Sequence, residues 1–424
     1  MRRRLLISCG LSALALTGAA AAPATLTLGT SGTPIPPLAI SGFNFSWQMP
    51  LVEAIDAVKS VAPTSLRYPG GNVGDENDLA RQGLEYFKSS LAVTGKGTAG
   101  IVQTRVFATR TDARNKPEDA AQAAREARDI GLNVAYWEIG NEPDLYATNR
   151  GDPSWTPEKY CQTFRAQREA ILKVDPSARF AGPAVSKGAG PAMTYLQGFV
   201  KSCGDVVDLL TWHEYPTDGT ATDEAALATA AEVTGHVQAV RDLWSDPARN
   251  PLGHARQVEL GVTEFSLSWK SGRARHLADQ VNALWTAETS LRLAEAGVQL
   301  SSYFAIIAAG SHGLVDRAGV PRPTLYAFQQ LRHFRGTALP VQSSDAALWA
   351  HAAQEGALLT LLVTNTATAP RTLATTLPGL TLIGAKTFTE KTVQDEADLI
   401  RQRLGPAVDL PGRSMTRLVY KRLP

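Results

Sequence analysis

Eight short apolar runs, all but the last followed by a crossover long enough to make parallel neighbours, predict an α/β chain folded as a (β/α)8 barrel. A change of texture beyond Thr337, to short alternating runs divided by turns with no long helix, predicts a C-terminal antiparallel β-sandwich. Eight regular units over about 250 residues also suit a closed barrel better than its rival, a doubly wound open sheet.

In chain order, Arg2-Arg3-Arg4, the apolar run Leu5 to Leu16 and the small residues ending at Ala22 read as a signal peptide over residues 1–22. The expectation is export to the periplasm or the exterior. The run is too short to span a bilayer, so no permanent membrane anchor is expected. Residues 23–37 carry Ala24 to Thr30, which alternates as an edge strand completing the sandwich, and a proline-rich stretch that forbids a helix. Residues 38–336 are assigned to the barrel, with strands at Phe43 to Phe45, Ser65 to Tyr68, Thr104 to Thr109, Asn133 to Ile139, Arg179 to Val185, Val206 to Tyr215, Val258 to Phe265 and Gln299 to Ile307. Between them, Leu51 to Val61, Pro117 to Ile130, the segment capped by Thr156, Met193 to Cys203, Glu224 to Trp244 and Leu277 to Ala296 space apolar residues as helices do. Residues 337–424 form the sandwich, expected to brace the barrel.

Composition narrows the function classes. A formal charge of +2, with Lys and Arg scattered among Asp and Glu, gives no nucleic-acid surface. Seven His without HExxH or CxxC spacing argue against a metal site, and no cofactor is expected. Gly95 to Gly100 fits GxGxxG but precedes a strand and opens no helix, so it lacks the dipole that binds a pyrophosphate. The absence of GxSxG argues against a serine hydrolase. Cys9 leaves with the signal peptide; Cys161 and Cys203 then lie on helices expected to be neighbours, and a disulfide is predicted over two buried thiols.

In a barrel the chemistry sits at the carboxyl ends of strands. Strand four stops at Gly140-Asn141-Glu142-Pro143, delivering an amide and a carboxyl to the mouth, with Glu138 one layer beneath on the same face. Strand seven ends in Glu264. Strand six places Thr211, His213 and Tyr215 on one face, where the Tyr215 hydroxyl is expected to reach Glu264, and turns Glu214 away. Arg67 on strand two, between apolar residues, calls for a buried acid, and Glu138 needs a cation, Arg67 or Arg105. Asn72, Asp75 and Glu76 follow on a loop that can line a site; Trp47 and Tyr303 are candidate stacking platforms or plain core.

Trp137 to Pro143 resembles the fourth-strand motif of the retaining glycoside hydrolases of clan A, and its extension through Asp144-Leu145-Tyr146 most resembles the β-glucuronidase and heparanase family, family 79. The resemblance covers roughly Phe43 to Phe334, with Arg67 to Asn72 similar to the second strand of clan members. It implies that Asn141 binds substrate, that Glu142 is the general acid/base and Glu264 the nucleophile, that Tyr215 or His213 orients Glu264, and that configuration is retained. The implied partner is a glycoside, oligosaccharide or polysaccharide. Family 79 has a glycine-rich stretch after the nucleophile, where this chain has Phe265 to Lys270; a neutral sugar, as in β-xylosidases and arabinofuranosidases, is therefore the alternative to glucuronate. A barrel that binds polysaccharide without cutting it is the reading of another class.

Overall fold

The computed structural model describes residues 22–49, 51–106, 117–308, 310–391, 400–401 and 404–422. The signal-peptide reading, Cys9 included, falls outside them except for Ala22, as do Phe107 to Thr109 of the predicted third strand. Among the described residues no helix is long and apolar enough to cross a membrane.

Eight parallel strands close into a barrel in sequential order: Leu38–Asn44, Ser65–Tyr68, Ala99–Thr104, Val134–Ile139, Phe180–Val185, Leu209–Glu214, Glu259–Phe265 and Leu300–Tyr303. They are called strands one to eight below. Their alternation divides two layers. Ile101, Tyr136, Ala181, Leu209 and Leu300 fill the bottom of the barrel, while outward residues such as Trp137, Phe180, Leu210 and Val262 join the helix layer in the main core.

Strand three begins earlier than its sequence suggests. Gly100 looks like a breaker, but it lies within the strand because helix Arg81–Thr94 packs on it: a Cβ there would stand 3.1 Å from Leu91 and Phe87. Two helices, Gly71–Glu76 and Arg81–Thr94, occupy what reads as loop after strand two. The long helix expected from Glu224 is divided into Asp223–Ala228 and Glu232–Ser245 by a 3-10 turn.

Beyond the barrel, seven antiparallel strands form one sheet in the order Ile400–Arg401, Leu380–Phe388, Ser414–Arg422, Leu358–Asn365, Leu348–Glu355, Thr337–Leu339 and Thr33–Pro34. Two short ribbons are separate sheets: Leu26–Leu28 pairs with Val341–Ser343, and Arg371–Ala374 with Ala407–Leu410. One face of the large sheet, with Leu359, Leu361, Val363 and Leu418, packs with Ala24, Leu373, Val408 and Leu410 of the ribbon side into a core of its own. The other face sends Ala353, Leu362, Phe388 and Met415 into the barrel core. The N-terminal strand Leu26–Leu28 lies antiparallel to Val341–Ser343.

Cys161, on helix Pro157–Leu172, is bonded to Cys203, at the end of helix Gly190–Cys203, with Cα atoms 5.8 Å apart. The two helices are neighbours in the outer ring.

Candidate active site

Strand four supplies the first carboxyl through a sharp change of direction. Gly140 has φ +78°, and a Cβ there would stand 2.7 Å from Val106 and 3.3 Å from Tyr160, so only glycine fits the end of this strand. Glu142 then adopts a left-handed conformation, φ 47° and ψ 51°, unusual for a residue with a side chain. Its N–H donates to the Ala184 carbonyl at the end of strand five, 3.0 Å away, which fixes the turn. Such a position costs on the order of 1–3 kcal/mol and persists where the surroundings over-determine it. The result aims the Glu142 carboxylate at His213, whose Nδ1 lies 2.9 Å from Oε1.

Glu264, on strand seven, is buried among donors. The Tyr215 hydroxyl donates to Oε2 at 2.8 Å and Arg67 Nη1 to Oε1 at 2.6 Å, with His213 Nδ1 3.8 Å from Oε2. Burial pushes this carboxyl up, but the charges of His213 and Arg67 and the two hydrogen bonds outweigh it and hold Glu264 below the ordinary glutamate range. His213 moves the other way: burial lowers it, while Glu264 and Glu142 together raise it above its usual value.

Arg67 is the hub. It is fully buried and donates from Nε to Glu138, from Nη1 to Asn44 Oδ1 (2.9 Å) as well as Glu264, and from Nη2 to Asn141 Oδ1 (2.9 Å). Burial alone would weaken its charge, yet Glu138 and Glu264 raise its pKa above the ordinary guanidinium value. Asn141 is oriented by this bond, which occupies its oxygen; among the described residues its NH2 has no hydrogen-bond partner. Asn44 Nδ2 in turn donates to the Thr263 and Ser302 carbonyls (2.9 and 3.3 Å), tying strands one, seven and eight beneath the pocket.

One donor atom each of Glu142, His213 and Glu264 lies within 4.8 Å of the others. Carboxyls about 5 to 5.5 Å apart leave no room for a water between them and suit attack by one carboxylate, whereas inversion needs roughly 6.5 to 9.5 Å. The same spacing would let the three side chains chelate one divalent ion, a grouping that no local motif announces because its members come from three strands.

Glu142, Glu264, Asn141, His213, Tyr215 and Arg67 therefore converge. Three other expected site residues do not. Tyr303 is wholly buried on the outer face of strand eight, packed on Phe265 and Phe328 with its hydroxyl 3.2 Å from Asn282 Nδ2, so it is core and no stacking platform. Asn72 sits exposed on helix Gly71–Glu76 beside Arg150, and among the described residues it has no hydrogen bond to either carboxylate. Trp47 is 40% exposed, but lines a separate cleft beyond strand two. Asp75 is sealed against Tyr146 (2.5 Å), and Glu76 pairs with Arg150. Glu214 does turn outward, to Trp212 Nε1 (2.8 Å) and His236 (3.0 Å).

Sequence reasoning missed Asn44 and His312, and it gave Gly71 no role of its own beyond the second-strand motif. Asn44, a polar residue between two phenylalanines at a strand end, carried a legible signal. Gly71, at φ +61°, lets the chain pass Glu264 so closely that a Cβ would lie 3.3 Å from Oε1. His312 packs its ring on Phe304 and Tyr215, 3.3 Å from Ser266 Oγ, and burial lowers its pKa to about 4, so it is neutral.

A closed parallel barrel with an Asn-Glu pair ending strand four and a tyrosine-bonded glutamate on strand seven defines the class of the clan A glycoside hydrolases. More particularly, the chain belongs to family 39 of the glycosyl hydrolases, whose model matches residues 131–357, more than half its length. This corrects the expected family 79: the Asn-Glu-Pro motif is common to the clan and does not separate its families. Heparanase of Rattus norvegicus is 28% identical over 199 residues, 46% of this chain and 35% of that one. A β-xylosidase of Caldicellulosiruptor saccharolyticus is 25% identical over 225 residues, 50% of this chain and 43% of that one. The chain thus spans well under half the length of these curated relatives. Among solved structures, AbfB, a family 51 α-L-arabinofuranosidase of Bifidobacterium longum, superposes with a TM-score of 0.72 at 17% identity, covering 95% of this chain and all of that one. A monomeric β-xylosidase of Caulobacter crescentus CB15 gives 0.64 at 16%, covering 94% and 100%. These likenesses are of fold.

Proposed function

We propose that this protein is an exported glycoside hydrolase that cleaves the bond of a neutral sugar, of the β-xyloside type, by double displacement. The observation that carries the reading is the carboxylate pair within 4.8 Å, one member caged by donors and the other open. In the first step a Glu264 oxygen attacks the anomeric carbon, the bond to the leaving oxygen breaks, and Glu142 delivers its proton to that oxygen. In the second, the Glu142 carboxylate takes a proton from a water whose oxygen displaces Glu264, returning the original configuration. Tyr215 and Arg67 support the ionised nucleophile. Glu142 is the more exposed carboxylate, and His213 Nδ1, 2.9 Å from its Oε1, aims it.

Support for a neutral sugar comes from three cations, Arg67, Arg322 and Lys270, that are already engaged. Arg67 is held by four side chains, Arg322 donates to the Ser311 and His312 carbonyls, and Lys270 lies over the Trp269 ring, 3.9 Å from Asp218. A glucuronate carboxylate would have to compete with these acceptors. Export is supported by the basic and apolar N-terminus and by the Cys161–Cys203 bond, which suits an oxidising compartment.

The test is a panel of 4-nitrophenyl glycosides, including β-xyloside, α-L-arabinofuranoside and β-glucuronide, with the anomer of the first product followed by NMR. Turnover of a neutral glycoside with retention is expected. Preference for the glucuronide, an inverted first product, or binding without turnover across the panel would overturn the reading.

A further inference from the structure

Beyond the outer side of strand two lies a cleft of about 500 Å³ that the carboxylate chemistry does not use. Its walls come from the segment after strand one (Trp47), from strand two (Tyr68), from the turn after helix Gly71–Glu76 (Asn77 and Leu79) and from helix Arg81–Thr94 (Gln82 and Tyr86). Trp47 and Tyr86 keep 40% and 36% of their surface open, a large aromatic exposure for one place. The cleft is preformed. Tyr86 donates to the Met49 carbonyl at 3.2 Å, its ring packs on Phe45, and Trp47 meets Tyr68 edge to face at 6.1 Å. The Tyr68 ring is stacked on Phe87, and its hydroxyl has no hydrogen-bond partner among the described residues.

Two chain connections limit how far this cleft can lie from the reacting carboxylates. Gly71, against Glu264, opens a six-residue helix that rises about 9 Å and ends where Asn77 enters the cleft wall. Asn44, bonded to Arg67, precedes Trp47 by three residues, a reach of at most about 11 Å. The cleft is thus near enough for a neighbouring ring of a bound chain. Its chemistry is the aromatic faces of Trp47 and Tyr86 with the side-chain amides of Asn77 and Gln82. The acid in its wall, Asp78, is already paired with Arg105 at 2.7 Å. That mixture matches a sugar ring, whose C–H faces stack on aromatics while its hydroxyls need polar partners.

We propose that this cleft is a second subsite, which holds a neutral sugar unit of an oligosaccharide substrate against Trp47 and Tyr86. The inference rests on the glycosidase reading above and adds to it that the substrate is longer than one sugar. Kinetics with 4-nitrophenyl β-xyloside and with xylobiose to xylopentaose separate the two. Trp47→Ala and Tyr86→Ala are each expected to lower the ratio of xylotriose to aryl-xyloside kcat/KM on the order of three- to tenfold, the scale of one aromatic contact, with Trp47→Phe recovering most of it. An unaltered enzyme that turns over no neutral glycoside would sink the glycosidase reading itself. If it does turn them over, a ratio left at the wild-type value in both alanine variants would remove the subsite alone.

Discussion

At the scale of single residues, the two glutamates are distinguished by what surrounds them. Glu264→Ala is expected to lose turnover on every substrate, since no covalent intermediate can form. Glu142→Ala should keep the first step for substrates with good leaving groups and stall in the second, and azide, which needs no general base, should restore turnover as a glycosyl azide. An active Glu264→Ala enzyme, or no response of Glu142→Ala to azide, would exchange or void these roles. The pH dependence follows from the donors on Glu264. Because it lies below the ordinary glutamate value of about 4.3, the acidic limb of kcat/KM should fall below that pH, and Tyr215→Phe, which removes a donor to the ionised form, should move the limb upward. A limb unchanged or shifted downward in Tyr215→Phe would contradict this. Much of the site was legible because alternation is a local rule: it turned Glu138, His213 and Tyr215 inward and Glu214 outward. It failed at Tyr303, where the register was missing. Tyr303 stands beside Phe265 on strand seven and Phe43 on strand one, both outward-facing, a fact that belongs to strand pairing and not to the tetrad of letters around it.

At the scale of elements, the strand ends and their glycines carry the precision of the site. Gly140 both ends strand four and makes space for Val106, so Gly140→Ala meets two obstacles, a left-handed φ and a contact at 2.7 Å. A loss of about 2–4 kcal/mol in unfolding free energy is expected, read as a lower denaturant midpoint at unchanged slope. A smaller loss with full activity would mean that the strand end yields more easily than its packing implies. Sequence reading found the motif but not all of its frame. Strand three was placed late because Gly95 to Gly100 looks like punctuation, and the helix after strand two was missed because Gly71-Asn72-Val73-Gly74 has poor helix propensity. Tertiary contacts decide both: Gly100 is where a helix lands on the sheet, and a Cβ at Gly74 would stand 2.7 Å from the Gln103 side chain.

At the scale of the whole molecule, the barrel and the C-terminal sheet are joined by apolar packing and by a buried charge cluster that no local pattern could announce. His351 extends from strand Leu348–Glu355 into the interface, with Nε2 2.9 Å from Glu288 Oε2 and Nδ1 2.8 Å from Glu295 Oε1, both on helix Gln280–Glu295 of the barrel. Arg292 holds the other oxygen of Glu288 at 2.7 Å. Burial pulls His351 down, but the two glutamates outweigh it and raise it to about 10, so the imidazolium bridges the two units at neutral pH. Burial raises Glu288, yet His351 and Arg292 bring it below the ordinary glutamate value. The signs then set a window. The His351 contribution is fully present below the unfolded value of about 6.5 and is lost as pH rises through about 10; that of Glu288 is present above its unfolded value and is lost as pH falls through its lowered one. His351→Gln should therefore destabilise the protein at pH 7 by roughly 3–5 kcal/mol, the scale of a broken buried pair, because Glu288 keeps only Arg292. The gap between the two proteins should narrow steadily from pH 7 to pH 10, measured as denaturant midpoints across that range. A gap independent of pH would show that His351 acts there by shape and not by charge. Because the cluster lies at the barrel's outer helix and not at its mouth, kcat of the folded variant should match that of the unaltered enzyme.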